Sequence, residues 1–168
     1  MGKTVSLGKA LEDVRILRKE GKKIVFTNGC FDIMHAGHVR YLRKARSMGD
    51  ALIVGLNSDS SIRAIKGDLR PIVPEKERAE VLSALCSVDY VILFNEETPI
   101  RLITAIKPDV LAKGADWASG QIVGAGVVME AGGKVARIPL VKGKSTTNII
   151  KKILTIHKID VEKRDKKF

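Results

Sequence analysis

The chain has 168 residues, 45% of them apolar, and 30 Lys and Arg against 19 Asp and Glu give it a net charge of +11. That length allows one compact domain with a hydrophobic core, and no apolar run nears the roughly 20 residues a membrane helix needs, so no membrane partner is expected. Two cysteines without a CxxC spacing exclude a disulfide framework and a cysteine zinc site, which points to a reducing cytoplasm.

The start, MGKTVSLGKALEDV, lacks the apolar h-region of a signal peptide. Residues 9–20 place Leu11, Val14, Ile16 and Leu17 on one broad helical face, which Gly21 ends. KKIVFTNG predicts a buried strand running into turn residues. Helical spacing resumes from about His38 to Met48, with Gly49 as its C-cap. DALIVGLN predicts a second strand, and SDSSIRAIKG a short helix capped by Ser58 or Asp59. Two prolines make LRPIVP irregular; EKERAEVLSALC is helical and VDYVILF is a third strand. TPIRLITAIK opens a helix with Thr98-Pro99 as N-cap and first helical residue. PDVLAKG is a fourth strand, GADWASGQIVGAG a loop, VVMEAGG a short helix, KVARIPLV a fifth strand and STTNIIKKILTIHKI a last helix.

Strands and helices alternate, and the strands are solid apolar runs, as in a parallel sheet covered on both faces. The expected fold class is α/β: a single doubly wound Rossmann-like domain over residues 1–168 with a five-stranded parallel sheet. Residues 1–21 form an N-terminal helical segment and 155–168 a basic tail. Ligands of such sheets bind beyond the carboxyl ends of the strands, which directs attention to residues 27–38, 57–59, 113–117 and 142–147.

TNGCFDIMHAGH follows the first strand. His35 and His38 are three apart and project to one side of a helix start. Exposed amides there attract phosphate, and two imidazoles can donate to a phosphoryl oxygen and offset its growing charge. A metal site would need further ligands; the only other histidine, His157, lies in the tail, so no metal site is expected. VKGKSTTNIIKKI combines Gly143 with Ser145, Thr146 and Thr147 at a helix N-terminus, where N-capping alone is the simpler role. With Lys142 and Lys144 it also makes an anion cradle. It is not a Walker A loop, because the upstream glycine is missing and the segment follows the final strand. Residues 66–78 carry Lys66, Arg70 and Arg78 on a candidate lid, with a surface pairing as the other reading of Arg78. Lys113, Asp116 and Trp117 stand just past the fourth strand, where an acid can bind a hydroxyl, a nucleotide or magnesium, or simply cap a turn. The charge alone would suit a nucleic-acid module, but four Phe, two Tyr and one Trp form no cluster for stacking bases, and nucleic acid is not the expected partner.

His35-Ala36-Gly37-His38 after NGCFD, with GKSTT before the last helix, resembles the cytidylyltransferase-like branch of the HIGH-type nucleotidyltransferases, over residues 22–154. GLNSDSSIRAIKGDLRPIVP, RAEVLSAL, PDVLAKGADW and GGKVARIPLVKGKSTT further resemble the heptose 1-phosphate adenylyltransferase family, here without a kinase-sized segment. The resemblance implies ATP and heptose 1-phosphate as substrates, Mg2+ as companion ion, ADP-heptose and pyrophosphate as products, a place in lipopolysaccharide core synthesis, and a homo-oligomer, dimer or higher. It puts the family histidines on His35 and His38, the phosphate-wrapping loop on Asn28, Gly29, Cys30 and Phe31, ribose or base contacts on Asn57 and Asp59, and the hydroxyl motif on Ser145, Thr146 and Thr147. Related cytidylyltransferases carry an arginine shortly before that motif and two acids after the glycine of the fourth-strand loop. Leu140-Val141-Lys142 and Gly114-Ala115-Asp116 stand there instead, which fits ATP better than CTP.

The expected chemistry is direct displacement by the sugar phosphate on the α-phosphorus of ATP, by positioning and charge stabilisation. His35 and His38 grip the phosphates, Lys66 and Thr146 steady the β- and γ-phosphates, and Lys113 or Lys144 takes the sugar's phosphate. A relative using CTP, or another phosphorylated acceptor such as glycerol 3-phosphate, is the nearest alternative; a nucleotide-binding regulator without turnover is a further one.

Overall fold

The apolar runs form inner strands because both of their faces are covered. In the computed structural model, which describes residues 2–116, 121–141 and 143–157, six parallel strands make one sheet. They are β1 (Lys3–Thr4), β2 (Ile24–Gly29), β3 (Ala51–Asn57), β4 (Tyr90–Phe94), β5 (Val110–Gly114) and β6 (Lys134–Ile138), in the order β1-β4-β3-β2-β5-β6. The helices between them are α1 (Leu7–Lys19), α2 (Ala36–Arg46), α3 (Asp59–Lys66), α4 (Glu75–Ser83), α5 (Ile100–Ile106), α6 (Ala125–Glu130) and α7 (Thr146–Ile156).

Successive strand side chains point to opposite faces. Ile24 and Phe26, Ile53, Ile92 and Leu111 pack with Val14 of α1, Leu102, Ile103 and Ile106 of α5 and Val128 of α6. Val25, Leu52, Val54, Val91 and Val110 pack on the other face with Leu42 and Ala45 of α2 and Ala79 and Leu82 of α4. Burying each of these Val, Leu, Ile and Phe side chains is worth about 1.5–3 kcal/mol, which is why these strands lack polar alternation.

The strand count departs from the expected five. β1 is a sixth, edge strand of two residues, too short to show a period; Gly2 N donates to Ser83 O at 3.0 Å, Lys3 N to Asp89 O at 3.0 Å and Val5 N to Val91 O at 3.0 Å. Helix ends also differ. α2 starts at Ala36, two residues before the expected start, and its C-cap is Ser47 instead of Gly49. Pro99 takes the cap position of α5 and Thr98 stands outside the helix. α7 runs over Thr146–Ile156 with Ser145 as N-cap and His157 as C-cap, within the expected last helix; residues 158–168 of the tail, Trp117 and Lys142 lie outside the described residues.

From β2 the chain winds to β3 and β4 on one side, then crosses back to β5 and β6 on the other. Strand order therefore reverses between β2 and β5, and a crevice opens at their carboxyl ends.

Candidate active site

At that crevice lies a cavity of 540 Å³, within the size range of small-molecule sites. β2 delivers Asn28 and Gly29 to its floor, and the following loop adds Cys30 and Phe31. His35 is the N-cap of α2, with extended backbone, and its Nδ1 accepts a bond from Gly37 N at 3.1 Å. A Cβ at position 37 would stand 2.9 Å from that nitrogen, so only glycine lets the imidazole fold over the helix start. Because Nδ1 accepts, the neutral ring carries its proton on Nε2.

His38, in the first turn of α2, stacks on His35 with ring centroids 3.9 Å apart and planes 22° from parallel. Phe31, held at φ +44°, meets His38 edge-on with centroids 5.5 Å apart. His38 Nδ1 is buried and has no hydrogen-bond partner among the described residues. Burial pushes the His38 pKa down to about 4, with His35 and Lys66 adding to the effect. Burial and then Lys144 lower that of His35. The stacked pair is therefore neutral at pH 7 when no anion is beside it.

The His38 shift has a definite sign for stability. Above the ordinary 6.5 the ring is neutral folded or unfolded and contributes nothing. Between 6.5 and about 4 the unfolded chain takes up a proton that the folded site refuses, so stability falls as the pH drops through that window. NMR titration of the ligand-free protein is expected to show the His38 ring titrating near pH 4; a midpoint at 6.5 or above contradicts this environment.

Lys113, at the end of β5, is buried, donates to Asn28 Oδ1 across the β2–β5 join, and has its pKa lowered to about 8 by burial, with Asp116 opposing. Gly114 and Asp116 border the same floor. At the far wall α7 begins: Ser145 is its N-cap, accepting from Asn148 N at 3.1 Å, and Thr146 Oγ1 donates to Ile33 O at 3.3 Å. Lys144, Ser145, Thr146 and Thr147 all border the cavity. The N-termini of α2 and α7 thus open on one space, where the two helix dipoles favour an anion. Lys66 comes in from the end of α3. Pro99, Ile122 and Val123 supply an apolar part of the cavity lining.

Two expected residues are placed differently. Asp59 does not border the cavity; its Oδ1 pairs with Arg78 Nη2 at 2.8 Å. Arg78 is no lid or surface group but is 1% exposed, donating also to the carbonyls of Val73, Cys30 and Asn57. Asn57 borders the cavity, with its Nδ2 donating to Ser61 Oγ at 2.9 Å.

The cytidylyltransferase-like family pattern matches residues 26–153, which include both helix starts and both motif loops. The chain belongs to the cytidylyltransferase-like family. It is 52% identical over 151 residues to the bifunctional protein HldE of Syntrophotalea carbinolica, covering 89% of this chain and 31% of that one. It is 56% identical over 151 residues to HldE of Methylobacillus flagellatus, covering 90% and 31%. The chain thus spans less than a third of the length of these curated relatives. Among solved structures, a lipopolysaccharide core biosynthesis protein from Thermoplasma volcanium superposes with a TM-score of 0.61 at 30% identity, over 74% of this chain and 100% of that one.

Two residues of this cytidylyltransferase-like site escaped the sequence reading. Asp32 is a buried carboxylate: burial raises its pKa, and bonds from Val73 N, Ile72 N and Arg70 outweigh that and hold it below the usual value. Its partners are about 40 residues away, so no local pattern marks it. Tyr41 borders the cavity and its hydroxyl lies 2.7 Å from Thr27 Oγ1; burial pushes its pKa up to about 12, so it stays protonated. One turn beyond His38 on the same helix face, it was legible from spacing alone. Among the described residues no helix is long and apolar enough to cross a membrane.

Proposed function

We propose that this cavity transfers AMP from ATP to heptose 1-phosphate, giving ADP-heptose and pyrophosphate for lipopolysaccharide core synthesis. The observation that carries the reading is the stacked His35–His38 pair at the start of α2, facing the α7 hydroxyls and Lys66, Lys113 and Lys144. Identity above 50% to HldE proteins across this same segment supports the heptose acceptor.

A phosphate oxygen of the sugar 1-phosphate attacks the α-phosphorus of ATP. The new P–O bond forms as the bond to the bridging oxygen breaks, and the electron pair leaves with pyrophosphate. The proposed donors to the equatorial oxygens are His35 through Nε2–H and His38, whose ring gains proton affinity once phosphate charge lies against it. Lys66 and Thr146 hold the β- and γ-phosphates, with Thr146 exchanging its bond to Ile33 O for the ligand. Asn28, Gly29, Cys30 and Phe31 wrap the nucleotide phosphates. Lys113 or Lys144 takes the sugar's phosphate. Gly114, Asp116 and Asn57 face the ribose, and Ser145 and Thr147 complete the α7 cradle.

Mg2+ would neutralise charge on the triphosphate. The carboxylates bordering the cavity are Asp32, which is tied to Arg70 and the amides of Ile72 and Val73, and Glu97 and Asp116, which would stand beside an ion carried by the nucleotide. The same reading places one nucleotidyltransferase domain over residues 1–168, acting in the cytoplasm as a homo-oligomer on small molecules, with neither nucleic acid nor membrane as partner.

Mass spectrometry of a reaction with ATP or CTP, magnesium, and heptose 1-phosphate or glycerol 3-phosphate tests this. ADP-heptose with equimolar pyrophosphate is the expected product. Preferential turnover of CTP, or of glycerol 3-phosphate, replaces the substrate assignment; no product from any pair removes the catalytic one.

A further inference from the structure

Residues 67–74, between α3 and α4, are largely exposed. Gly67 sits at φ +86° with open space where a Cβ would stand, Leu69 is 89% exposed and Ile72 is 56% exposed. Few buried contacts of this kind mark a segment that opens easily. Yet the segment carries Arg70, which with Lys66 just before it borders the cavity.

Its far end is held at Val73 O, which accepts from Arg78 Nε at 2.9 Å, and by one buried carboxylate. Asp32, three residues before His35, is 4% exposed. Its Oδ2 accepts from Arg70 Nε and Nη2, each at 2.6 Å, and its Oδ1 accepts from Ile72 N and Val73 N, each at 2.9 Å. Two backbone amides would anchor the chain here by themselves. The added fork to Arg70 also fixes where a guanidinium points, and a fork-shaped cation bordering a cavity suits a phosphoryl group.

We propose that Asp32 is a positioning residue that anchors residues 70–73 and aims Arg70, beside Lys66, at a phosphoryl group in this end of the cavity. The proposal rests on the phosphate-transfer reading above. The phosphoryl group belongs either to the end of the triphosphate or to the sugar phosphate. Asp32 acts only through Arg70 and the loop, and needs no contact with substrate.

Asp32→Asn separates its two tasks. An asparagine Oδ1 still accepts from Ile72 N and Val73 N, while its NH2 cannot accept from Arg70. Calorimetric titration of the whole chain with ATP, AMP and heptose 1-phosphate, without turnover, reads the result. Binding of ATP, of heptose 1-phosphate or of both is expected to weaken roughly tenfold, the loss of a charged hydrogen bond, with AMP within about twofold. The ligand that responds identifies the phosphoryl group. Arg70→Lys keeps the charge but not the fork, and the same selective loss is expected from it, with little further loss in the double variant. If Asp32→Asn does not fold, Arg70→Lys alone carries the comparison. Equal weakening of all three ligands, or of none, overturns the proposal. Failure of heptose 1-phosphate to bind the unaltered chain, with ATP still responding to the variants, overturns the acceptor assignment and leaves the latch standing.

Discussion

His38→Ala is expected to keep the fold and lower kcat by at least about 10²–10³-fold, the usual cost of one transition-state donor. His38 makes this test clean. Its Nδ1 has no hydrogen-bond partner among the described residues, so truncating it strands no group paired to that nitrogen there. His35→Ala is less clean, because His35 caps α2 through Gly37 N, and losing a cap costs about 1 kcal/mol of stability as well. Steady-state kinetics beside a thermal melt separate the effects. A His38→Ala enzyme with most of its activity would remove the histidines from the chemistry.

Arg78→Met is expected to lower stability by about 3–5 kcal/mol, the range for breaking a buried charge pair, and the melting temperature by on the order of 10 °C. The guanidinium, on α4, ties four places together: the loop after β2 through Cys30 O, the end of β3 through Asn57 O, the start of α3 through Asp59, and the loop before α4 through Val73 O. Removing it leaves three carbonyls and a carboxylate without their donor. Arg78→Lys cannot span the same set and is expected to fall well short of rescue. A melting point within about 2 °C of the unaltered chain would show that these bonds add little.

The role of Arg78 was not legible in the sequence. A basic residue in a charged helical run is usually solvated, and nothing local marks this one as the centre of a buried network. Asp59 went astray with it: the carboxylate expected at the nucleotide is the one that pairs with Arg78. The parallel sheet was legible because solid runs such as LIVGL need cover on both faces. The α2 site was legible because strand, tight turn and paired histidines are contiguous. β1 was not, since two edge residues carry no period. Asp32 was not, since its meaning lies in Arg70, Ile72 and Val73, about 40 residues on. Sequence spacing reports contacts within an element; long-range side-chain pairs become visible only in the fold.

Transfer inside the His35–His38 cavity is proposed to be a single direct displacement on the α-phosphorus. Turnover of one diastereomer of α-thio-ATP with heptose 1-phosphate, followed by assignment of the configuration at phosphorus in the nucleotide-sugar product, tests it most directly. Inversion is the predicted result. Retention would mean that AMP passes through a covalent intermediate on the protein, for which this site offers no proposed nucleophile, and would rule out direct displacement.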